Sequence, residues 1–258
     1  MAVSLGRSWI WSKSSAALSD GPDRGRLLFG RRRSRALRPG QKTLFAGLLP
    51  RLAVTIPASG GLDPRVLFGA VNRPMWLEIG FGAGEHLAWQ AEQHPEVGFI
   101  GCEVFENGIV KLLAQIERRR LDNIRILADD ARLLVPALPP ASVDRVFILF
   151  PDPWPKRRHH KRRIISREML DRLAAIMSDR AELRIATDDD GYLCWILERI
   201  TDHSAFEWLA RRPRDWRERP ADWPTTRYEE KARAAGRLPT FLRVRRLSRS
   251  ARYDSPAA

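Results

Sequence analysis

Cysteine is scarce in this chain. Cys102 and Cys194 are its only two, and they show no metal-ligand or disulfide spacing. That excludes a disulfide-built secreted scaffold and a zinc framework. Both lie in apolar segments and read as reduced core residues of a cytosolic protein, so a cytoplasmic location is expected. No apolar run approaches the length of a membrane-spanning helix, and no membrane partner is expected. Arg7 and Lys13 interrupt any apolar stretch near the N-terminus, which argues against a secretory signal. Internal repeats and low-complexity segments are missing too. Acids are the other shortage: 31 Asp and Glu stand against 45 Lys and Arg, leaving a net charge of +14. Such an imbalance points to a polyanionic partner.

What is present is enough for one sizeable core, since 44% of the 258 residues are hydrophobic. The cations are unevenly spread. Residues 1–43 carry ten of them against Asp20 and Asp23, and residues 211–252 carry fourteen against five acids. A third cluster follows Lys156. This division suggests a basic arm over 1–38, a single domain over 39–250 and a short tail over 251–258.

Hydrophobic patterning predicts alternating strands and helices. A helix begins at Gln41, with Leu44, Leu48, Leu49 and Leu52 on one face, and stops before Pro57. Strands are predicted over 75–80, 97–104, 123–129, 143–150 and 181–188. Helices are predicted over 85–93, 106–120, 162–179 and 190–201. Beyond Ala205 come further strands with one helix over 226–235. The run "VDRVFILF" at 143–150 ends in five consecutive apolar residues, Val146–Phe150, as the centre of a parallel sheet does. The alternation predicts an α/β, doubly wound, Rossmann-like fold, with a mostly parallel sheet and helices on both faces.

"LEIGFGAGEHL" at 77–87 places Gly80, Gly82 and Gly84 two apart, directly after a strand and before a helix. Glycine there lets the backbone turn sharply and approach a ligand closely. The spacing is not the dinucleotide G-x-G-x-x-G, and no P-loop Lys-Ser/Thr follows. A tight turn without a ligand is the plain alternative. Glu78 precedes the first glycine, Glu103 ends the second strand, and Asp130 follows the third. An acid after the second strand can accept hydrogen bonds from a ribose diol, and Asp130 can reach an adenine amino group. Each acid alone could be a helix cap, Asp130 above all, and Asp129 competes with it. Together they suit a cationic, nucleoside-bearing ligand such as S-adenosylmethionine better than a pyrophosphate.

"FPDPWPKRRHHKRR" at 150–163 fixes Asp152 between Pro151 and Pro153 at the end of the fourth strand, beside Trp154. Two prolines restrict two φ angles and remove two donors, which preorganises the carboxylate; a structural turn is the alternative. Trp154 offers a flat face for a base, though a core role is as common. The cations that follow could contact phosphates, with His159 and His160 adding to them. No third ligand accompanies the two histidines, so no metal is expected. Asp188 ends the fifth strand in "ATDDDGY", and "TTRYEEK" adds Thr226, Arg227, Tyr228 and Glu229. Carboxylates can read the guanine donors, and Arg or a hydroxyl its acceptors.

These stretches, in order across about residues 40–246, resemble the bacterial tRNA (guanine-N7)-methyltransferases. The fourth-strand motif is the specific one. The resemblance implies a class I methyltransferase fold, S-adenosylmethionine as donor, and the guanine at position 46 of the tRNA variable loop as acceptor. It carries cofactor binding onto Glu78, Glu103, Asp130 and Asp152 and places Asp152 at the catalytic centre. It carries substrate binding onto Lys156, Asp188 and Thr226–Glu229. Ala232 stands where the family commonly has glycine, and residues 1–25 match nothing recognisable. Two other readings stay open: a methyltransferase for another RNA site, and a non-catalytic RNA-binding protein on the same fold. A nicotinamide oxidoreductase is disfavoured by the glycine spacing. Whether the chain acts as monomer or homodimer is not legible.

Overall fold

The structure, a computed structural model, describes residue 32 and residues 35–59, 61–69 and 73–249. Most of the arm expected over 1–38, and all of the tail expected over 251–258, lie outside the described residues.

Seven strands form one sheet: β1 (Met75–Ile79), β2 (Gly98–Cys102), β3 (Ile124–Leu127), β4 (Val143–Leu149), β5 (Met177–Thr187), β6 (Phe206–Trp208) and β7 (Thr240–Arg246). Their order is β3-β2-β1-β4-β5-β7-β6. The first five run parallel, and β7 is antiparallel to both β5 and β6. The helices are α1 (Pro39–Leu52), α2 (Glu85–Gln93), α3 (Glu106–Arg119), the single turn α4 (Ala131–Leu134), α5 (Arg167–Ile176), α6 (Asp190–Thr201), the single turn α7 (Arg214–Arg217) and α8 (Arg227–Ala234). No described helix is long and apolar enough to cross a membrane.

The strand period of two sorts the core into two layers. Met75, Leu77 and Ile79 of β1 pack with Leu170 and Leu173 of α5 and Ile196 and Ile200 of α6. Trp76 faces the other way, into Leu49 and Leu52 of α1, Leu87 of α2 and Leu112 and Leu113 of α3. Every residue of β1 and β2 is buried, Glu78 of β1 included, as in a sheet covered on both faces. The chain winds outward from β1 to β3, then returns to β4 on the far side of β1. Connections on the two sides diverge there, and a crevice opens at the carboxyl ends of β1 and β4.

Two expectations need correction. The helix expected over 162–179 is α5 alone. The Ser166 side chain accepts from Met169 N–H and starts the helix; Arg157–Arg162 form a separate 3-10 turn. At its other end Met177 already pairs with Val143, so β5 begins where the helix was expected to continue. Cys194 is exposed, not core. The buried positions of α6 are Tyr192, Ile196 and Ile200, one helical face, and Cys194 lies off it. The short α7 was not anticipated.

Candidate active site

The crevice at the switch point has a volume of about 310 Å³, at the lower end of the range for small-molecule sites, about 300–1,000 Å³. Gly80, Gly82, Glu103, Asp129, Asp130, Pro151, Asp152, Trp154 and Tyr228 all line it.

The glycine loop follows β1 and turns by left-handed backbone: φ is 74° at Gly80, 59° at Gly82 and 73° at Gly84. Side chains rarely adopt this conformation. Gly84 does not line the crevice; it is the residue before α2, and a Cβ there would meet Leu112 at 2.6 Å. Gly108, near the start of α3, has a tighter constraint. A Cβ on it would lie 2.1 Å from the Gly82 carbonyl oxygen, so α3 can approach the loop only because residue 108 is glycine. Its place early in a helix, where glycine is costly, is the signal that could have marked it.

Glu103 is tied to this loop. Its Oε2 accepts from Gly82 N–H at 2.7 Å, and its Oε1 from Val104 and Phe105 N–H at 2.8 and 2.9 Å. A carboxylate has about four acceptor sites, so one remains for a ligand hydroxyl. Burial nevertheless pushes the Glu103 pKa up, and the charge of Asp152 adds to that rise; the three N–H groups only partly offset it. Burial likewise raises Asp152, although water still reaches its side chain in the open crevice. Cys102 reports the same field. Its thiol pKa is raised by burial and then by the charges of Asp130, Glu103 and Asp129. The crevice is therefore negative, which fits a sulfonium cation and opposes a pyrophosphate.

Asp130 realises the helix-cap alternative. Its Oδ1 accepts from Arg132 N–H at 2.9 Å and its Oδ2 from the Arg132 guanidinium at 2.9 Å. Each oxygen retains a lone pair. Asp129 also lines the crevice, receives Asp130 N–H at 2.8 Å and pairs with Arg32 at 3.4 Å. Both acids line the crevice.

Glu78 sits behind the loop, not in the main crevice. It is 3% exposed, and its Oε2 lies 2.7 Å from His86 Nδ1. It borders a small adjoining cavity with Thr226 and Tyr228. Its partner His86 is eight residues on, across the turn, a pairing no periodicity predicts.

Asp152 is held by its backbone. Phe150 and Trp154 flank the turn at φ 50° and 45°, left-handed positions that cost of order 1–3 kcal/mol each and persist only where the surroundings enforce them. Phe150 N–H donates to Ala186 O at 2.8 Å. The Asp152 carboxylate forms no hydrogen bond or ion pair among the described residues, despite the cations that follow. These cations divide. Lys156, Arg157, Arg158 and Lys161 are exposed, Arg162 lies over the Trp154 ring at 4.9 Å, and Arg163 is buried at 4% exposure. Arg163 is therefore largely withdrawn from solvent. Partial burial and then Arg162, Arg158, Lys156 and Lys161 hold the His159 pKa below its usual value, which disfavours a charged imidazole there.

The tail contributes unequally. Tyr228 reaches the crevice, covers Gly82 and lies nearly parallel to Phe150, 6.4 Å between centroids. Arg227 sits over the Tyr228 ring at 4.9 Å and pairs with Glu85 at 3.5 Å. Thr226 caps α8, its hydroxyl accepting from Glu229 N–H. Glu229 is buried and paired with Arg219 and Arg233, each at 3.1 Å. Asp188 pairs with Arg237 at 2.7 Å and does not line the crevice. No group of three or more His, Cys, Asp or Glu able to hold a metal occurs among the described residues.

A family model described as "Putative methyltransferase" matches residues 72–241. A tRNA (guanine-N(7)-)-methyltransferase of Rhodospirillum rubrum is 50% identical over 89% of this chain and 91% of its own length. Proteins of the same name from Paramagnetospirillum magneticum and Rhizobium meliloti are 49% and 45% identical. They cover 86% and 84% of this chain, and 93% and 94% of their own lengths.

Proposed function

The chain belongs to the tRNA (guanine-N7)-methyltransferase family, and from that premise we propose that its own residues perform methyl transfer from S-adenosylmethionine to N7 of a guanine in tRNA. The acceptor is the guanine at position 46. The observation that carries the reading is the acidic crevice at the switch point, with Asp152 projected into it from a turn and paired with no cation among the described residues.

S-adenosylmethionine supplies a methyl group on a positively charged sulfur. The glycine loop lets the main chain approach it, Glu103 offers an acceptor for a ribose hydroxyl, and Asp130 or Asp129 faces the adenine. Glu78, braced by His86, supports the loop from behind. Neutral guanine N7 carries a lone pair and no proton, so no general base is required. Asp152 orients the reacting groups. Its charge also stabilises the positive charge that develops on the purine, by fixed electrostatics in a partly desolvated site. Lys156 and the exposed cations after it hold the tRNA backbone. Arg227 and Tyr228 present the acceptor side, while Thr226, Glu229 and Asp188 keep the tail that carries them in place.

Incubation with labelled S-adenosylmethionine and unmodified tRNA, followed by nucleoside analysis, tests this. 7-methylguanosine at a single guanine is expected. A different methylated nucleoside would move the acceptor to another RNA site. Donor binding without transfer would favour a binding protein on the same fold.

A further inference from the structure

The turn that carries Asp152 has almost no hydrogen bonding of its own. Prolines at 151 and 153 remove two N–H donors. Among the described residues, the hydrogen bond made by Pro151–Trp154 is the one that Pro153 O accepts from Arg163 Nε at 2.7 Å. Arg163 is fixed in turn. Its guanidinium lies over the rings of Tyr192 and Trp195, at 4.9 and 4.7 Å. Those rings are anchored as well: the Tyr192 hydroxyl accepts from Ile165 N–H at 3.3 Å, and Trp195 Nε1 donates to Ile165 O at 2.7 Å.

A second guanidinium extends the chain of contacts to the donor side. Arg132 pairs through Nη1 with Asp130, and through Nη2 it donates to the carbonyls of Arg162 at 3.0 Å and Arg163 at 3.5 Å. A continuous path results: Asp130, Arg132, the main chain at 162–163, the Arg163 side chain, the Pro153 carbonyl and then Asp152. We propose that Arg132 and Arg163 are positioning residues that brace the Asp152 turn against the donor-side acid Asp130, and are not tRNA phosphate contacts. This rests on the reading of Asp152 as the group at the reacting centre.

The physical case is the mismatch between strain and support. Left-handed Phe150 and Trp154 make the turn costly, and it lacks a backbone ladder. A rigid fork on the Pro153 carbonyl is what keeps one arrangement. Arginine suits the task because its planar guanidinium stacks on aromatic faces and donates in a fixed direction. Because the path includes Asp130, a displacement at the donor side is transmitted to Asp152.

The test uses the full chain with Arg163→Met and Arg132→Gln, measuring single-turnover methyl transfer, donor affinity and tRNA affinity against salt. Met fills the aromatic slot and should preserve the fold; Arg132, 19% exposed, tolerates exchange more readily and carries the test if Arg163→Met does not fold. The brace predicts that each variant slows transfer by up to about a hundredfold, the scale of a small misplacement. Affinity for tRNA and its salt slope should stay at wild type. The double variant should cost little more than the worse single one, since the two act as a unit. A wild-type transfer rate with weakened tRNA binding and a salt slope flatter by about one would make them phosphate contacts and overturn the proposal. Fully multiplicative losses would also overturn it. Asp152→Asn in the same assay separates the two levels. If it transfers at the wild-type rate, the site reading fails. If it is slow while both brace variants are normal, only the brace fails.

Discussion

At the scale of residues, the crevice holds carboxylates whose ionised forms the protein disfavours. Burial raises Asp152, and burial with the Asp152 charge raises Glu103. On the proposed mechanism Asp152 acts ionised, so the rate should fall with acid at a pH above the ordinary Asp value of about 3.9. The stability sign is opposite. A folded pKa above the unfolded one costs stability wherever the group is ionised, and the cost disappears as pH falls through the folded pKa. Asp152→Asn should therefore melt no lower than wild type at pH 7, and higher if anything; a clear loss of melting temperature would show that the carboxylate holds the fold. Lys156→Ala tests the exposed cations: tRNA binding should weaken and its salt slope flatten by about one, with donor binding untouched. Strand ends marked the neighbourhood of the crevice but not which side chains turn into it: Glu103, Asp130 and Asp152 line it, while Glu78 and Asp188, equally close to strand ends, do not. The partners were not legible. Glu78 meets His86, Asp130 meets Arg132, and Asp188 meets Arg237. Such pairings are set by loop paths, which leave no period in the sequence.

Elements explain why the glycine loop and α3 belong together. Gly108 lets the first turn of α3 sit against the Gly82 carbonyl, and Tyr228 of α8 closes over the same residue. Gly108→Ala should cost about 1–3 kcal/mol of stability, as overpacking does. It should also weaken donor affinity more than tRNA affinity, readable by thermal melts and calorimetric titration. An unchanged donor affinity would mean the loop adjusts freely. The strands and long helices were legible from their apolar periods. The stretch from 157 to 179 was not. Its basic first part forms a 3-10 turn, a Ser166 cap interrupts it, and β5 claims Met177. Strand pairing outweighed local helix propensity there.

For the molecule as a whole, charge and fold divide the work. The parallel sheet sets an acidic crevice at its switch point, while the net charge is +14 and the cations collect near the ends of the chain and after Lys156. A negative pocket for a cationic donor thus sits within a positive protein for a polyanion. Removal of residues 1–31 should weaken tRNA binding and reduce its salt dependence, and leave donor affinity unchanged; equal tRNA affinity at low salt would remove the arm from the footprint.

The most direct test of the account is the single-turnover rate of methyl transfer by Asp152→Asn, measured beside its affinity for S-adenosylmethionine. The account predicts a rate lowered by about a hundredfold or more, the scale of a lost electrostatic contact at a reacting centre, with donor affinity close to wild type. A wild-type rate would contradict it.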